Sequence, residues 1–569
     1  MPLSRYIPII SWLPKYKKLN FGSDLSAGLT VGVMLIPQGM AYAMLAGMPP
    51  IYGLYASTIP LIAYAIFGTS HQLAVGPVAM DSLLVAIGVS ALAEYGSDQF
   101  ILLAISLAMM VGAIQLLLGL FRLGFLVNFL SLPVISGFTS AAAIIIALNQ
   151  LPHLLGLQMN GSNQIHLVVA EIISRLNTTH LITLIIGATG IIVILLAKKY
   201  FKTIPGGLLV VISGIILVFA FKLEGVKVVG EIPAGLPNFS IPLISINHIT
   251  SLFPTALTIA LVGFMEAFAV AKATHAKHKD YILDANQELV AIGASNISGS
   301  FFQSFPVTGG FSRTAVNDQS GAKTQLSSII SAGLIILTLL FLTPLFYHLP
   351  KAILASIILV AVIGLIDFKE IRNLWLSNRR DLILLIITFL TTLFIGIQEG
   401  IGIGVLLSLF MVLYETSYPH YAVLGRLPNS RTYRNIKRYE DATEIAGVLI
   451  IRFDAKLFFG NTSIFHSILL EEMEKRKNLK LLIINSEAIN TLDSTAAHML
   501  HDLADELQQS GIELVFTTVK GPVRDVMVKA KIVEKLGKQH FFDSIQEAVD
   551  NFDGEHVDRK RESRFQSTY

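Results

Sequence analysis

Apolar runs of the length that crosses about 30 Å of hydrocarbon recur along the chain as far as residue 416. About fourteen can be counted, centred near Val33, Ile59, Leu84, Met109, Ile144, Gly187, Ile212, Thr258, Ala291, Thr314, Ile335, Leu359, Ile387 and Val405. The third and tenth are short and interrupted. After Ser417 the pattern changes to a polar, basic stretch, "YPHYAVLGRLPNSRTYRNIKRYEDA", and then to short apolar runs alternating with amphipathic ones. "AGVLIIRF", "LKLLIIN" and "IELVFTTV" read as buried strands, and "SIFHSILLEEMEK" and "TAAHMLHDLADELQQ" as helices. The pattern divides the chain into an N-terminal segment (1–22), a membrane part (23–416), a linker (417–440), a small soluble α/β domain (441–553) and a polar tail (554–569).

Composition agrees with a bilayer-embedded chain: of 569 residues 53% are hydrophobic and only 14% charged, with mean hydropathy +0.65. A net charge of +3 is too small and too dispersed for a nucleic-acid partner. The basic residues instead report topology. With the N-terminus inside, the inner loops receive Lys15, Lys17, Lys18, Arg122, Lys198, Lys199, Lys202, Lys272, Lys277, Lys279, Lys369, Arg372, Arg379 and Arg380, whereas the outer loops receive Arg175, Lys222, Lys227 and Lys351. An even number of spans places both termini in the cytoplasm of a cell-membrane protein. The prolines at 2, 8 and 14 and the basic cluster after them argue against a cleavable signal. With no cysteine, disulfides, thiolate metal sites and cysteine nucleophiles are excluded together. No nucleophile–base constellation or metal cluster stands out, so neither an enzyme nor a cofactor is expected. His275 and His278 have helical spacing but sit in a basic loop.

Three segments break the helical pattern inside the apolar region. "IPQGMAYAMLAGMPPIYGLYAS" carries Pro37, which cannot donate a helical hydrogen bond, and Gln38 and Tyr42, four apart and so on one face. A kink that only aids packing is the competing reading. "QLAVGPVAMDSLLVA" reads as an extended stretch through Val75 and Gly76, with a helix opening at Pro77. "FFQSFPVTGGFSRTAVNDQSGAKTQ" repeats the device, with Gly309 and Gly310 followed by a short helix opening at Phe311, Ser312 and Arg313. Interrupted spans at third and tenth place point to a seven-plus-seven inverted repeat with its site at the midplane. Two helix N-termini converging there would hold an anion. Glu266, Asp81 and Arg313 cost about 2.5 to 3.5 kcal/mol each at a bilayer centre, which makes them functional candidates. An ion pair between Arg313 and one of the acids is the structural alternative.

These residues carry a resemblance. "LIPQGMAYAMLAGMPPIYGLYASTIP", "VGPVAM", "DANQEL", and "FSRTAV" with "GAKTQLS" resemble the sulfate permease (SulP, solute carrier 26) family, and the C-terminal domain is similar to its STAS domain. The resemblance implies a UraA-like fold of fourteen spans, a homodimer, and a core domain moving against a gate domain. It implies a central anion site at Gln38, Tyr42, Val78, Gly310, Phe311, Ser312 and Arg313. Glu266 matches an acidic position resembling the proton-linked glutamate of sulfate symporters. Asp81 departs from the family pattern and is a second proton-coupling candidate or a cation site. Asp493-Ser494-Thr495 opens a helix, where capping competes with a regulatory role for Thr495.

Moving a dianion inward against about −100 mV costs roughly 4.6 kcal/mol, so uptake needs cotransported cations. Protonation of an acid beside the site and binding of a dianion favour each other. The expected function is proton-coupled uptake of an inorganic anion, sulfate first. A sodium-coupled bicarbonate carrier, an anion exchanger, and an anion sensor signalling through the STAS domain are the alternatives.

Overall fold

The computed structural model describes residues 6–125, 131–158, 165–200, 206–242 and 245–553. Lys202 and the expected tail, 554–569, lie outside the described residues. Two compact units result, one to Ser408 and one from Leu409.

Each of the fourteen apolar centres falls in a helix. The first seven are α1 (Phe21–Leu45), α2 (Ile59–Phe67), α3 (Ala79–Ser90), α4 (Asp98–Leu120), α5 (Leu132–Leu155), α6 (Leu181–Tyr200) and α7 (Gly206–Phe221). The second seven are α8 (Ile246–His278), α9 (Ala285–Ser300), α10 (Phe311–Gln319), α11 (Leu326–Leu337), α12 (Lys351–Ile363), α13 (Arg379–Phe394) and α14 (Ile397–Ser417). Among the described residues eight helical stretches are long and apolar enough to cross a membrane by themselves, while α3, with 12 residues, and α10, with 9, are not. At 1.5 Å per residue those two span only about 18 and 14 Å. They are half-helices.

Packing sorts the spans into two groups. In one, α4 packs on α9, α1 on α11, α2 on α9 and α11, and α8 on α3 and α4; in the other, α5 packs on α12 and α13, and α6 on α7 and α12. These pairs come as repeat-related couples: α1 with α11 answers α8 with α4, and α5 with α13 answers α12 with α6. That correspondence is the signature of a seven-plus-seven inverted repeat. Contacts between the groups run mainly from α1 to α7 and α12.

Two short strands, β1 (Val75–Gly76) and β2 (Thr308–Gly309), precede the half-helices and pair antiparallel, Val75 opposite Gly309 and Gly76 opposite Thr308. This clasp adds a strand pairing to the helix packing that joins the two repeats. α1 stays continuous through Pro37, so the proline leaves a carbonyl unpaired without breaking the helix. Beyond it Gly39 crosses Gly53 of the short helix Ile51–Tyr55 so closely that a methyl group on Gly53 would overlap the Gly39 carbonyl.

The second unit holds a six-stranded sheet in the order β4-β3-β5-β6-β7-β8. Here β3 is Tyr421–Arg426, β4 Tyr433–Asn435, β5 Val448–Phe453, β6 Leu481–Asn485, β7 Glu513–Thr517 and β8 Phe541–Phe542. β5 to β8 run parallel, and β3 joins β4 and β5 antiparallel. The stretch 417–440, read as a linker from its polarity, is thus partly sheet: alternate residues Ala422 and Leu424 are buried against Ile450 and Ile483. The opposite face carries Leu449, Ile451, Phe453, Leu482, Ile484 and Phe516, covered by α15 (Thr462–Glu474), α16 (Ser494–Gln509) and α17 (Gly521–Lys529). Burial on both faces explains why β5 and β6 read as unbroken apolar runs.

Candidate functional site

The first bonds within the half-helices run from Ser82 N to Val78 O and from Thr314 N to Gly310 O, each 3.0 Å. The amides of residues 79–81 and 311–313 therefore have no partner within their helices. Neither N-cap residue, Val78 or Gly310, offers a side-chain cap. Both cap positions are extended, as the strands that lead into them require.

The extended segments are held by buried amide side chains. Asn296 on α9 accepts from Val307 N at 2.8 Å and donates to Val307 O at 3.0 Å, taking both backbone groups as a third strand would. It also donates to Gln115 Oε1 at 3.1 Å, and Gln115 donates to Ala260 O of α8 at 3.1 Å. Thr308 Oγ1 donates to Gly263 O at 2.5 Å. On the other repeat, Ala74 N donates to Thr314 Oγ1 at 3.0 Å, Asn317 Nδ2 to Gln72 O at 2.9 Å, and Gln325 Nε2 to Ser70 O at 2.6 Å. Gly310 N closes the clasp on Ala74 O at 3.1 Å.

Arg313 is the third residue of α10 and only 1% exposed. Its Nη1 donates to Pro77 O at 2.7 Å, so the guanidinium reaches across to the N-terminus of α3, while Nε and Nη2 have no partner. It lies against two glycines: a methyl group on Gly310 would sit 2.7 Å from Nη2, and one on Gly76 3.4 Å. Among the described residues Arg313 forms no ion pair. Glu266, half-buried on α8, and Tyr42 on α1 lie within electrostatic range of it. Glu266 lies one turn from Gly263, whose carbonyl accepts from Thr308 Oγ1.

Gln38 and Tyr42 are both buried one turn apart on α1, and Gln38 Oε1 has no partner. Val78 is buried at the head of α3, whereas Phe311 and Ser312 are exposed at the head of α10. Asp81, third residue of α3, is 1% exposed with both carboxylate oxygens unpartnered. Thr495 is exposed in the first turn of α16, whose cap is Asp493 Oδ1 accepting from Ala496 N at 2.8 Å. Asn296, Gln115 and Thr308 were not singled out from sequence. An asparagine and a glutamine inside apolar spans were the available signal, since polar side chains at membrane depth face protein partners.

Six unpaired amides, two positive helix ends and a guanidinium with free donors make a receptor for negative charge set between the halves of an inverted repeat. That combination defines a membrane carrier for anions. Residues 21–388 match the sulfate permease family and residues 439–548 match the STAS domain, and the chain belongs to the sulfate permease family. It is 41% identical over 564 residues to probable sulfate transporter 4.2 of Arabidopsis thaliana, covering 95% of this chain and 83% of that protein. Sulfate transporter 4.1, chloroplastic, of the same plant is 41% identical over 562 residues, with coverage of 95% and 82%. Among solved structures, murine Solute Carrier 26 family member A9 in the inward-facing state superposes with a TM-score of 0.88 at 28% identity, covering 96% of this chain and 93% of that one. The transmembrane domain of the cyanobacterial bicarbonate transporter BicA shares the fold of the membrane part, with a TM-score of 0.59 at 24% identity over 69% of this chain and 98% of that one.

Proposed function

We propose that the protein is a proton-coupled sulfate transporter of the cell membrane, with both termini cytoplasmic, working as a homodimer. The anion rests on the amides of residues 79–81 and 311–313 and on the guanidinium of Arg313, with Gln38, Tyr42, Val78, Gly310, Phe311 and Ser312 lining the site. The group formed by α1–α4 and α8–α11 carries it past the group formed by α5–α7 and α12–α14. One observation carries this reading: Arg313 is buried with two of its three nitrogens free, between two uncapped half-helices. A fixed cation with open donors at such a place is costly without an anionic ligand.

Sulfate is chosen among anions because two 41%-identical relatives bear the name of sulfate transporters. Proton coupling rests on Glu266, the carboxyl in range of Arg313. With sulfate absent, Glu266 balances the guanidinium; when the dianion takes the guanidinium, the carboxylate loses its counter-charge and binds a proton. Substrate and proton thus enter together. The test is labelled sulfate uptake into proteoliposomes driven by an imposed pH step, with selenate, molybdate, bicarbonate and oxalate as competitors. Glu266→Gln keeps size and hydrogen bonding, so it should bind sulfate but lose the pH-driven component. Unchanged proton influx per sulfate in the variant overturns the role given to Glu266, and preferential competition by bicarbonate overturns the choice of sulfate.

A further inference from the structure

The charge of the site is not complete with Arg313 and Glu266. Asp81 and Arg313 hold the same place in the two repeats, each the third residue of its half-helix, and each is 1% exposed. Arg313 crosses to Pro77 on the opposite half-helix, whereas Asp81 turns toward α8. Its carboxyl fills the notch left by Gly263, where a methyl group would lie 2.8 Å from Oδ2 and 3.4 Å from Oδ1. That wall offers it no hydrogen. The Gly263 carbonyl is already taken by Thr308 Oγ1, and neither carboxylate oxygen of Asp81 has a donor.

The charged and titratable groups around it are few. Glu266 faces it from α8 and carries the same sign; Tyr42 stands on α1; Arg313 on α10 has Tyr42 and Glu266 within its electrostatic range. No Lys, Arg or His lies in α3 or α4, or in α5 short of His153 near its far end. A carboxylate here has neither a counter-ion nor a hydrogen bond, so this arrangement favours the protonated acid, and a proton loaded here leaves when the carrier opens the carboxyl to water on the other side. Three residues of helix separate Val78, at the head of α3, from Asp81, a rise of about 4.5 Å. A dianion seated at that head would be close enough for its binding and the protonation of Asp81 to reinforce each other.

We infer that Asp81 is a second proton site, separate from Glu266, so that two protons enter with each sulfate and the loaded carrier crosses without net charge. The inference rests on the reading of the protein as a sulfate–proton carrier, and it adds the stoichiometry. Two protons on two carboxyls match the two charges of the anion.

The experiment measures the steady sulfate gradient in proteoliposomes at a fixed pH difference, with the membrane potential set by potassium and valinomycin. For a pH difference of about one unit, two protons support a sulfate gradient of about 100-fold and one proton about tenfold. At about −100 mV inside, the one-proton carrier loses about 50-fold of its gradient because one negative charge moves, and the two-proton carrier loses none. Wild type should therefore follow the two-proton line and ignore voltage. Asp81→Asn should fall to the one-proton line and become voltage-sensitive, with its sulfate affinity still measurable. A voltage-insensitive, 100-fold gradient in Asp81→Asn overturns the inference, as does a one-proton line in wild type. A sodium gradient that drives uptake in wild type and not in Asp81→Asn also overturns it, making the site one for a metal cation. Should Asp81→Asn fail to assemble, Asp81→Ser, smaller and without a titrating group, is measured in its place, and a voltage-insensitive, 100-fold gradient in it overturns the inference. Glu266→Gln is the separate control: full proton-driven uptake there removes the proposed role of Glu266 and leaves the Asp81 comparison intact.

Discussion

Gly310→Ala probes the seat of the guanidinium without touching its charge. Gly310 has φ −93° and ψ 130°, an extended conformation that alanine adopts freely, so the backbone should not object. The added methyl would lie 2.7 Å from Nη2 and 2.8 Å from Cζ of Arg313, and reaching an ordinary contact of 3.4 Å moves the group by about 0.7 Å. The Nη1 bond to Pro77 O is 2.7 Å and leaves hydrogen-bond range near about 3.2 Å, so a displacement of that size is enough to break it. One charge-assisted bond is worth about 1.5 to 3 kcal/mol, which sets the expected loss of sulfate affinity at about tenfold to a hundredfold. The assay is sulfate binding to purified protein by titration calorimetry, on wild type, Gly310→Ala, Arg313→Ala and the double variant. Because the methyl acts through the guanidinium, Gly310→Ala should cost almost nothing once Arg313 is alanine, and the coupling should equal nearly its whole effect. An equal loss in both backgrounds would mean that the methyl blocks the anion itself, and the proposed seat of Arg313 would be wrong.

Three further outcomes can be checked. Arg313→Lys keeps a charge but loses the planar fork, so its sulfate affinity should fall between those of wild type and Arg313→Ala in the same titration. Gly53→Ala should prevent the crossing of α1, since its methyl would meet the Gly39 carbonyl; a loss of several kcal/mol, about 3 or more, is expected as failed assembly on size-exclusion chromatography, with normal assembly refuting it. In the STAS domain, burial pushes the Glu472 carboxyl up, but bonds from Lys475 at 2.9 Å and Arg476 at 3.0 Å outweigh it and hold the group below the ordinary carboxylate range. Its contribution is therefore present above the ordinary value of about 4.3 and lost as pH falls through the lower folded value, so Glu472→Gln should destabilise the domain at neutral pH and by nothing in strong acid. Thermal melts at several pH values would show this, and a cost independent of pH would refute it.

How legible the protein is in its sequence depends on range. Helices with their own apolar length, and the Gly-Pro and Gly-Gly breaks at 76–77 and 309–310, are local and could be read directly. The capping role of Asp493 was equally plain. The clasp was not: β1 and β2 are two residues each, below any periodicity, and their register is set by α8, α9 and α10 packed around them. Asn296 and Gln115 find their partners 11 and 145 residues away, on elements that periodicity cannot bring together. The polarity of 417–440 hid two strands because both are short: β3 is six residues among polar neighbours, and β4, at the sheet edge, is three, with Arg434 exposed between Tyr433 and Asn435. Asp81 and Glu266 were visible as charges, but only packing separates them, one partnerless against Gly263 and the other in range of Arg313.

The clasp also imposes an order on biosynthesis. α3 enters the bilayer with only 12 residues of helix and three uncapped amides, and the strand that β1 pairs with, β2, belongs to the second repeat. Arg313 follows Pro77 by 236 residues, so at about 5 to 20 residues per second the ribosome needs roughly 10 to 50 s to deliver the guanidinium and the second strand. Throughout that interval the nascent chain holds exposed backbone at membrane depth, which the insertion machinery must shelter. Fragments ending before β2 should accordingly be substrates for quality control, and the proposed anion site is among the last features of the membrane part to exist.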